Sequence, residues 1–461
     1  MNRTSKRFLA MLLSCLMFAT ILTVSATAAP AIEIQNPYEH VDWATFGQYR
    51  AALHTHTTAS DGAHTLAEMV EAYFAAGYDA LAITDHGVVD RCWINPNSKP
   101  IQPWADNFLD TIWPRRVVRG AGLTPERYAQ INAGYGRDGR GMIRVPLGNE
   151  QNPNGSSNSG LIHVTSWFAD FGHGLPGGRW DISVAVRGVH RRGGLSVVAH
   201  PSLMLQTREI NDYIVNKVQR ELERYDSLIG IEMHNALDRY LWDTLLTNLA
   251  PTGRNVFAVA ADDAHNRYNI DRRWVVALMP ENTAENLKTS METGAIFALN
   301  RSFNQPDLIE LLRAEGHIEA TESWQANREH PAPAVTNITA NAGVITLETE
   351  NAEVIAWVAD GEIVATGNEL VLANYIDDIG AYVRAEVWGE GGILYTQPFL
   401  LSYEGMPAGR PVPSDFRSQG DVYAFFRTLM IPFRSVQFIG LLFEAIGTVV
   451  RYDILPFLGL S

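Results

Sequence analysis

The sequence predicts an α/β fold, a seven-stranded (β/α) barrel over residues 45–310, followed by a small all-β sandwich over residues 333–403. Two observations carry this. Seven short apolar runs, YRAALHTH, DALAITDH, IRVPLGNE, LIHVTSW, LSVVAHP, IGIEMHN and VFAVAADDAH, alternate with helical patterns such as LAEMVEAYFAAG and IVNKVQRELERYD, the rhythm of β/α units. Past the HPAPAV stretch the period shortens to ITLET, VIAWVAD, AYVRAEV and ILYTQPFLL with turn residues between them, which predicts antiparallel strands.

The chain opens with a basic start (Arg3, Lys6, Arg7), an apolar run from Phe8 to about Val24, and small residues at Ala26, Ala28 and Ala29. That pattern predicts a cleaved signal peptide over residues 1–29 and export, to a secreted, periplasmic or surface location. Removing it takes three of the 36 basic residues and no acidic one, leaving 33 against 51, a net charge of −18. Such a surface repels long polyanions, so nucleic acid is disfavoured as a partner. Cys15 leaves with the signal, and Cys92 alone cannot form an internal disulfide.

Within the barrel, Thr65 and Glu68 form a capping box ahead of Leu66, Met69 and Val70, and Gly77 ends that helix. Residues from about 91 to 140 break the rhythm with Pro, Gly, Arg and Trp and read as an insertion over the barrel mouth. In the sandwich, DIGAYVRAEV resembles the tyrosine corner of immunoglobulin-like domains at Tyr382, with Trp357 placed as a core tryptophan. Residues 404–461 read as a linker and an apolar, amphipathic tail. The tail is too interrupted to span a membrane, and residues 420–461 are expected to contact a membrane surface or a protein.

The chemistry sits at the ends of the apolar runs. His54 and His56 share one face of a strand, since alternate residues point the same way. Asp61 follows five residues after His56 in SDG, and His86, Glu150, His163, His200, Asp263 and His265 fall at or near the next run ends. Barrel enzymes build their sites from the ends of several strands, and independent core histidines would not repeat there. Mixed imidazole and carboxylate donors suit two or three divalent ions of zinc, manganese or iron.

In order, HTHTTASDG, AITDHG, GNE, HV, AHP and DDAH resemble the PHP (polymerase and histidinol phosphatase) family of metal-dependent phosphoesterases, over about residues 48–300. The resemblance implies a distorted seven-stranded barrel and up to three metals. It places His54, His56, Glu150 and Asp263 around one, Glu150, His163 and His200 around a second, and Asp61, His86 and His265 around a third. Asp61 stands where many members have a histidine. Asp263 is chosen over Asp262 for its D-x-H spacing to His265.

The expected reaction is metal-dependent hydrolysis, with Glu150, Asp263 and His200 as the catalytic set. A bridging hydroxide would attack a small anionic phosphate ester. Arg91 and Arg267 are expected to clamp the phosphate, with Asn235 and His234 touching substrate. Two other readings stand beside it: amide, ester or carbamate hydrolysis on the same cluster, and a non-catalytic surface-binding protein.

Overall fold

The structure is a computed structural model that describes residues 32–94, 96, 122–151, 162–171, 182–204 and 209–416. The expected signal peptide, residues 97–121 of the expected insertion and the apolar tail lie outside the described residues. Among those described, no helix is long and apolar enough to cross a membrane.

After β1 (Glu33–Gln35), the strands β2 (Gly47–Ala52), β3 (Ala80–Leu81) and β4 (Ile143–Arg144) lie side by side in parallel. A second sheet contains β5 (Asn149–Gln151), β6 (His163–Trp167), β7 (Leu195–Ala199), β8 (Leu228–Glu232) and β9 (Phe257–Val259). Here β7, β8 and β9 are parallel, whereas β6 is antiparallel to both neighbours. IRVPLGNE, read as one strand, is two: Pro146 offers no N–H and Leu147 takes φ +60°, so the ladder breaks between β4 and β5.

Single parallel bridges, Thr55 with Ala264 and His86 with Glu150, join the two sheets. Among the described residues, no continuous ladder closes the expected barrel. The edge of β2 that would face β9 is taken by an unanticipated antiparallel strand, β10 (Arg273–Met279), itself paired with β11 (Ile296–Asn300).

Helices flank these strands. In α1 (Leu66–Ala75) both halves of the expected capping box form: Thr65 accepts from Glu68 N–H, and the Glu68 carboxylate accepts from Thr65 N–H. Residues 122–140 of the stretch expected over the mouth contain α2 (Pro125–Asn132) and lie instead in the β3–β4 crossover. Arg137 and Arg140 bind the buried Asp79, just before β3 and at the end of that strand away from His86. A parallel β3–β4 pair requires such a crossover. The remaining helices are α3 (Ile182–His190), α4 (Asp212–Arg224), α5 (Ala236–Leu249), α6 (Ala284–Thr293) and α7 (Pro306–Ala314), with a helical turn at Pro201–Met204.

The C-terminal strands are not a separate sandwich. After the short pair β12 (Ser302–Phe303) and β13 (Trp324–Gln325) come β14 (Ala334–Asn341), β15 (Val344–Glu350), β16 (Val354–Ala359), β17 (Glu362–Thr366), β18 (Glu369–Val371), β19 (Tyr382–Gly389), β20 (Gly392–Tyr395) and β21 (Phe399–Ser402). β14, β15 and β18 form their own sheet, but β20 pairs with β11, which carries β16 and β19 into the sheet of β2. β19 is consequently buried on both faces. Val383, Ala385 and Val387 join a core with Trp357, Ile345 and Leu370, and Tyr382 and Trp388 join the helix-side core with Trp242 and Leu246. Tyr382 donates its hydroxyl to Asp243 on α5 and accepts from Gly361 N–H, so it ties a strand to a helix as well as to its own turn.

One buried acid in the loop after β3 gives a pH test. Asp90 accepts from Trp93 Nε1 at 3.0 Å, has Arg144 at 3.6 Å, and leaves Oδ1 without a partner. Burial pushes its carboxyl up to about 7, against Arg144 and the Trp93 N–H. Because the folded value is raised above the unfolded one, the stability it contributes is full below about pH 4 and lost as pH rises through about 7. Asp90→Asn should therefore match wild type near pH 4 and gain up to about 4 kcal/mol above pH 7, at ~1.4 kcal/mol per unit. Urea unfolding at the two ends of that range checks this. Equal stability of the two proteins at the alkaline end would refute it.

Candidate metal centre

The strand ends converge on one buried acid, Glu150 of β5. His54 and His56 follow β2 and are held in place by His56 N–H donating to Ala264 O at 2.9 Å. His86 follows β3, and Gly87 N–H donates to Glu150 O. His163 opens β6, and His200 immediately follows β7. Asp263 and His265 follow β9. Two of these ligands sit on the left-handed side of backbone space, His200 at φ +26° and Asp263 at φ +49°, a conformation that costs a non-glycine residue on the order of 1–3 kcal/mol.

The nine predicted ligands fall into three groups whose donor atoms lie within 4.8 Å of one another: His54, Glu150, His200 and Asp263; His86, Glu150 and His163; and His56, Asp61, His86 and His265. This partition differs from the expected one, with His200 beside His54 and His86 shared between two groups. The expected quartet converges too. His54 Nε2 and His56 Nε2 are 3.1 Å apart, both lie 3.1–3.2 Å from Glu150 Oε2, and Asp263 Oδ1 is 3.5 and 3.1 Å from them. Ligands of a tetrahedral ion at ~2.1 Å would stand ~3.4 Å apart.

The donor chemistry fits a cation. His54 Nδ1 lies 2.8 Å from Glu232 Oε1, and an ionised carboxylate only accepts, so Nδ1 carries the hydrogen and Nε2 presents a lone pair to the cluster. Glu150 Oε2 and Asp263 Oδ1 are buried there without a hydrogen-bond partner. Five imidazoles contact Glu150, at 2.6 Å (His163), 2.9 Å (His86), 3.0 Å (His200), 3.1 Å (His54) and 3.2 Å (His56). With protons in place of metal, burial lowers His163, but at His86, His54 and His200 the neighbouring acids outweigh it. Asp61 and Glu150 hold His86 up at about 10, and Glu232, Glu150 and Asp263 hold His54 well above its usual value. Metal and protons thus compete for the same nitrogens.

Glu232 escaped the sequence reading, although a glutamate inside the apolar run IGIEMH is its own signal. Fully buried at the end of β8, it faces His54 with one oxygen and accepts from His200 N–H at 3.1 Å with the other. Thr165 donates to it as well. Despite burial, His54 and His234 keep its carboxyl far below the ordinary range. A carboxylate behind a ligating histidine fixes tautomer and orientation. Glu232→Gln should weaken metal affinity by about 10–100-fold, measured by chelator competition, and unchanged affinity would remove this role.

The structure turns Arg91 away as a clamp, because Asp170 engages it at 2.7 and 3.2 Å. Arg267 is exposed on a single 3-10 turn, Arg267–Asn269. Asn235 caps α5, its Oδ1 accepting from Leu237 N–H, while buried His234 sits 3.4 Å from Glu232. Both line a cavity of ≈ 260 Å³ that also touches Asp263 and two arginines the sequence reading missed, Arg272 and Arg273. Asp262, the neighbour passed over in favour of Asp263, accepts the backbone N–H groups of Arg272 and Arg273 at 2.8 Å each and the hydroxyl of Tyr73.

Residues 52–133 match the family model described as PHP domain. A stretch of 54 residues is 41% identical to the DNA polymerase/3'-5' exonuclease PolX of Bacillus subtilis, covering 12% of this chain and 10% of PolX, so the chain spans about a tenth of that relative's length. Among solved structures it is similar to a two-domain protein containing a predicted PHP-like metal-dependent phosphoesterase from Bacteroides vulgatus, at 12% identity over 81% of this chain and 91% of that one, with a TM-score of 0.39. It is also similar to an amidohydrolase from Chromobacterium violaceum, at 15% identity over 47% and 87%, with a TM-score of 0.27.

Proposed function

We propose, from the match of residues 52–133 to the PHP-domain model, that the chain is an exported phosphoesterase acting on a small phosphate ester at a di- or trinuclear metal centre. The observation that carries the reading is the convergence of five imidazole nitrogens and the Asp263 carboxylate on Glu150. The two seam bridges support reading β2 to β9 as an open form of a distorted seven-stranded barrel. Export rests on the basic start and apolar run of residues 1–29.

Divalent ions bound there supply Lewis acidity and lower the pKa of water. Zinc, manganese and iron all suit the mixed donor set. The chain's own residues do the rest. Glu150 offers both oxygens to the cluster and so spans neighbouring groups. Glu232 fixes the His54 ring, and Asp263 faces both the cluster and the adjoining cavity. His200, with its N–H held by Glu232, presents Nε2 to Glu150. Asp61, half-exposed among His56, His86 and His265, marks the solvent side of the centre.

The deciding experiment pairs elemental analysis of chelator-free protein with turnover of a nitrophenyl phosphate, a nitrophenyl ester and a nitrophenyl carbamate, each with added manganese or zinc. The reading expects bound transition metal and preferential phosphate-ester cleavage. Turnover of the carboxylic substrates alone would move the activity to ester, amide or carbamate hydrolysis. Protein that holds no metal, even after addition, would remove the enzyme reading.

A further inference from the structure

The cavity beside Asp263 holds two arginines, Arg272 and Arg273, that make no ion pair among the described residues, although the carboxylates of Asp262 and Asp263 share its lining. Most buried arginines in this protein meet carboxylates: Arg384 reaches Asp243 and Glu386, and Arg239 reaches Glu386 and Asp307. Arg273 differs. Its Nε is buried without a partner, its Nη2 makes only a long 3.4 Å contact to His234 O, and it forms no ion pair among the described residues. Arg273 is half-buried, and a guanidinium partly withdrawn from water without a direct ion pair carries a desolvation cost that an incoming anion would help to recover.

The position of this arginine is fixed. Asp262 takes the backbone N–H of both Arg272 and Arg273 and is itself held by Tyr73, so the start of β10 is pinned before any ligand arrives. Arg272 is exposed at the same wall, again with no ion pair among the described residues. Asn269 lines the cavity as well, with its Oδ1 accepting from Asn266 N–H. The volume, ≈ 260 Å³, is below that of a drug-sized pocket, so it suits one part of a substrate. Asp263 forms a wall of the cavity and also belongs to a ligand group, so whatever sits there adjoins the reacting centre.

We infer that this cavity is the subsite for a second anionic group of the substrate, phosphoryl or carboxylate, gripped by Arg273 with Arg272 at its rim. The enzyme then selects esters that carry a further negative charge next to the scissile phosphate. Guanidinium binds both kinds of oxyanion bidentately. The inference rests on the hydrolase reading for what happens at the metals, but not for the binding itself.

Calorimetric titration of metal-loaded, full-length protein with inorganic phosphate, and separately with malonate, tests it. Wild type should bind one equivalent of phosphate or malonate that Arg273→Gln weakens by about tenfold or more, the loss of a bidentate charged contact. A further phosphate equivalent, bound at the metals, should persist in the variant. Arg273→Lys should recover part of the loss, and exposed Arg272→Gln, which cannot disturb the core, should lose a few-fold. Which anion shows the loss separates the phosphoryl source from the carboxylate source. Titrations of the Arg272 and Arg273 variants that superimpose on wild type for both anions overturn the subsite. Protein that binds no metal but still loses its anion in Arg273→Gln overturns the hydrolase reading and leaves the subsite standing.

Discussion

Glu150→Gln should lose at least one equivalent of metal and reduce turnover by about 10³-fold or more, about 4 kcal/mol of barrier. The change removes a charge, not a shape. Five imidazole nitrogens lie within 3.2 Å of this carboxylate, and an amide would turn an NH₂ donor toward at least one of them while withdrawing the negative charge from all. Because Glu150 belongs to two ligand groups, the loss cannot stay confined to one ion. Elemental analysis and turnover by the same preparation check it. A variant that kept its full metal content would place the metals elsewhere.

Arg384→Met should destabilise the protein by about 3–5 kcal/mol, the cost of stripping one partner from a buried ion pair. The guanidinium is fully buried, bonded to Asp243 at 2.9 and 2.7 Å and to Glu386 at 2.7 Å, and stacked over Trp242. Removing it leaves two buried carboxylates with too few donors. Asp243 retains Tyr382, and Glu386 retains Arg239. Urea unfolding measures the effect, and a loss below about 1 kcal/mol would show that water fills the gap. The network bolts α5, in the half that carries the histidine cluster, to β19 of the C-terminal half. α5 is capped by Asn235 on the cavity wall, so loosening this joint should also reach the cavity.

The residues of the cluster were legible because most obey a local rule: all but Asp61, in its SDG loop, and His163, which opens β6, stand at or just beyond the end of an apolar run. Partition among ions was less legible. Which nitrogen of His86 or His200 faces which carboxylate depends on ring orientation, set by distant partners such as Glu232. Arg273 carried no sequence signal, since its role comes from Asp262 pinning the start of β10 and from a cavity that α5 helps to wall. Closure of the barrel failed for a similar reason. RRWVVALM reads as an ordinary apolar run, and no local feature shows that it pairs antiparallel with β2 and occupies the edge that a closing strand would need. The same long-range pairing, through β11 and β20, made one sheet of what the change of period had divided into two domains.

His200 and Asp263, the two candidate ligands with positive φ, bear on how this protein would respond to laboratory evolution. A selection for heat resistance alone rewards relief of backbone strain, and glycine or asparagine relieves it at both positions. Such a screen should enrich substitutions there and return robust proteins with an incomplete ligand set. Selecting for turnover as well should keep histidine and aspartate in place and push the stabilising changes to the surface, where they cost the centre nothing.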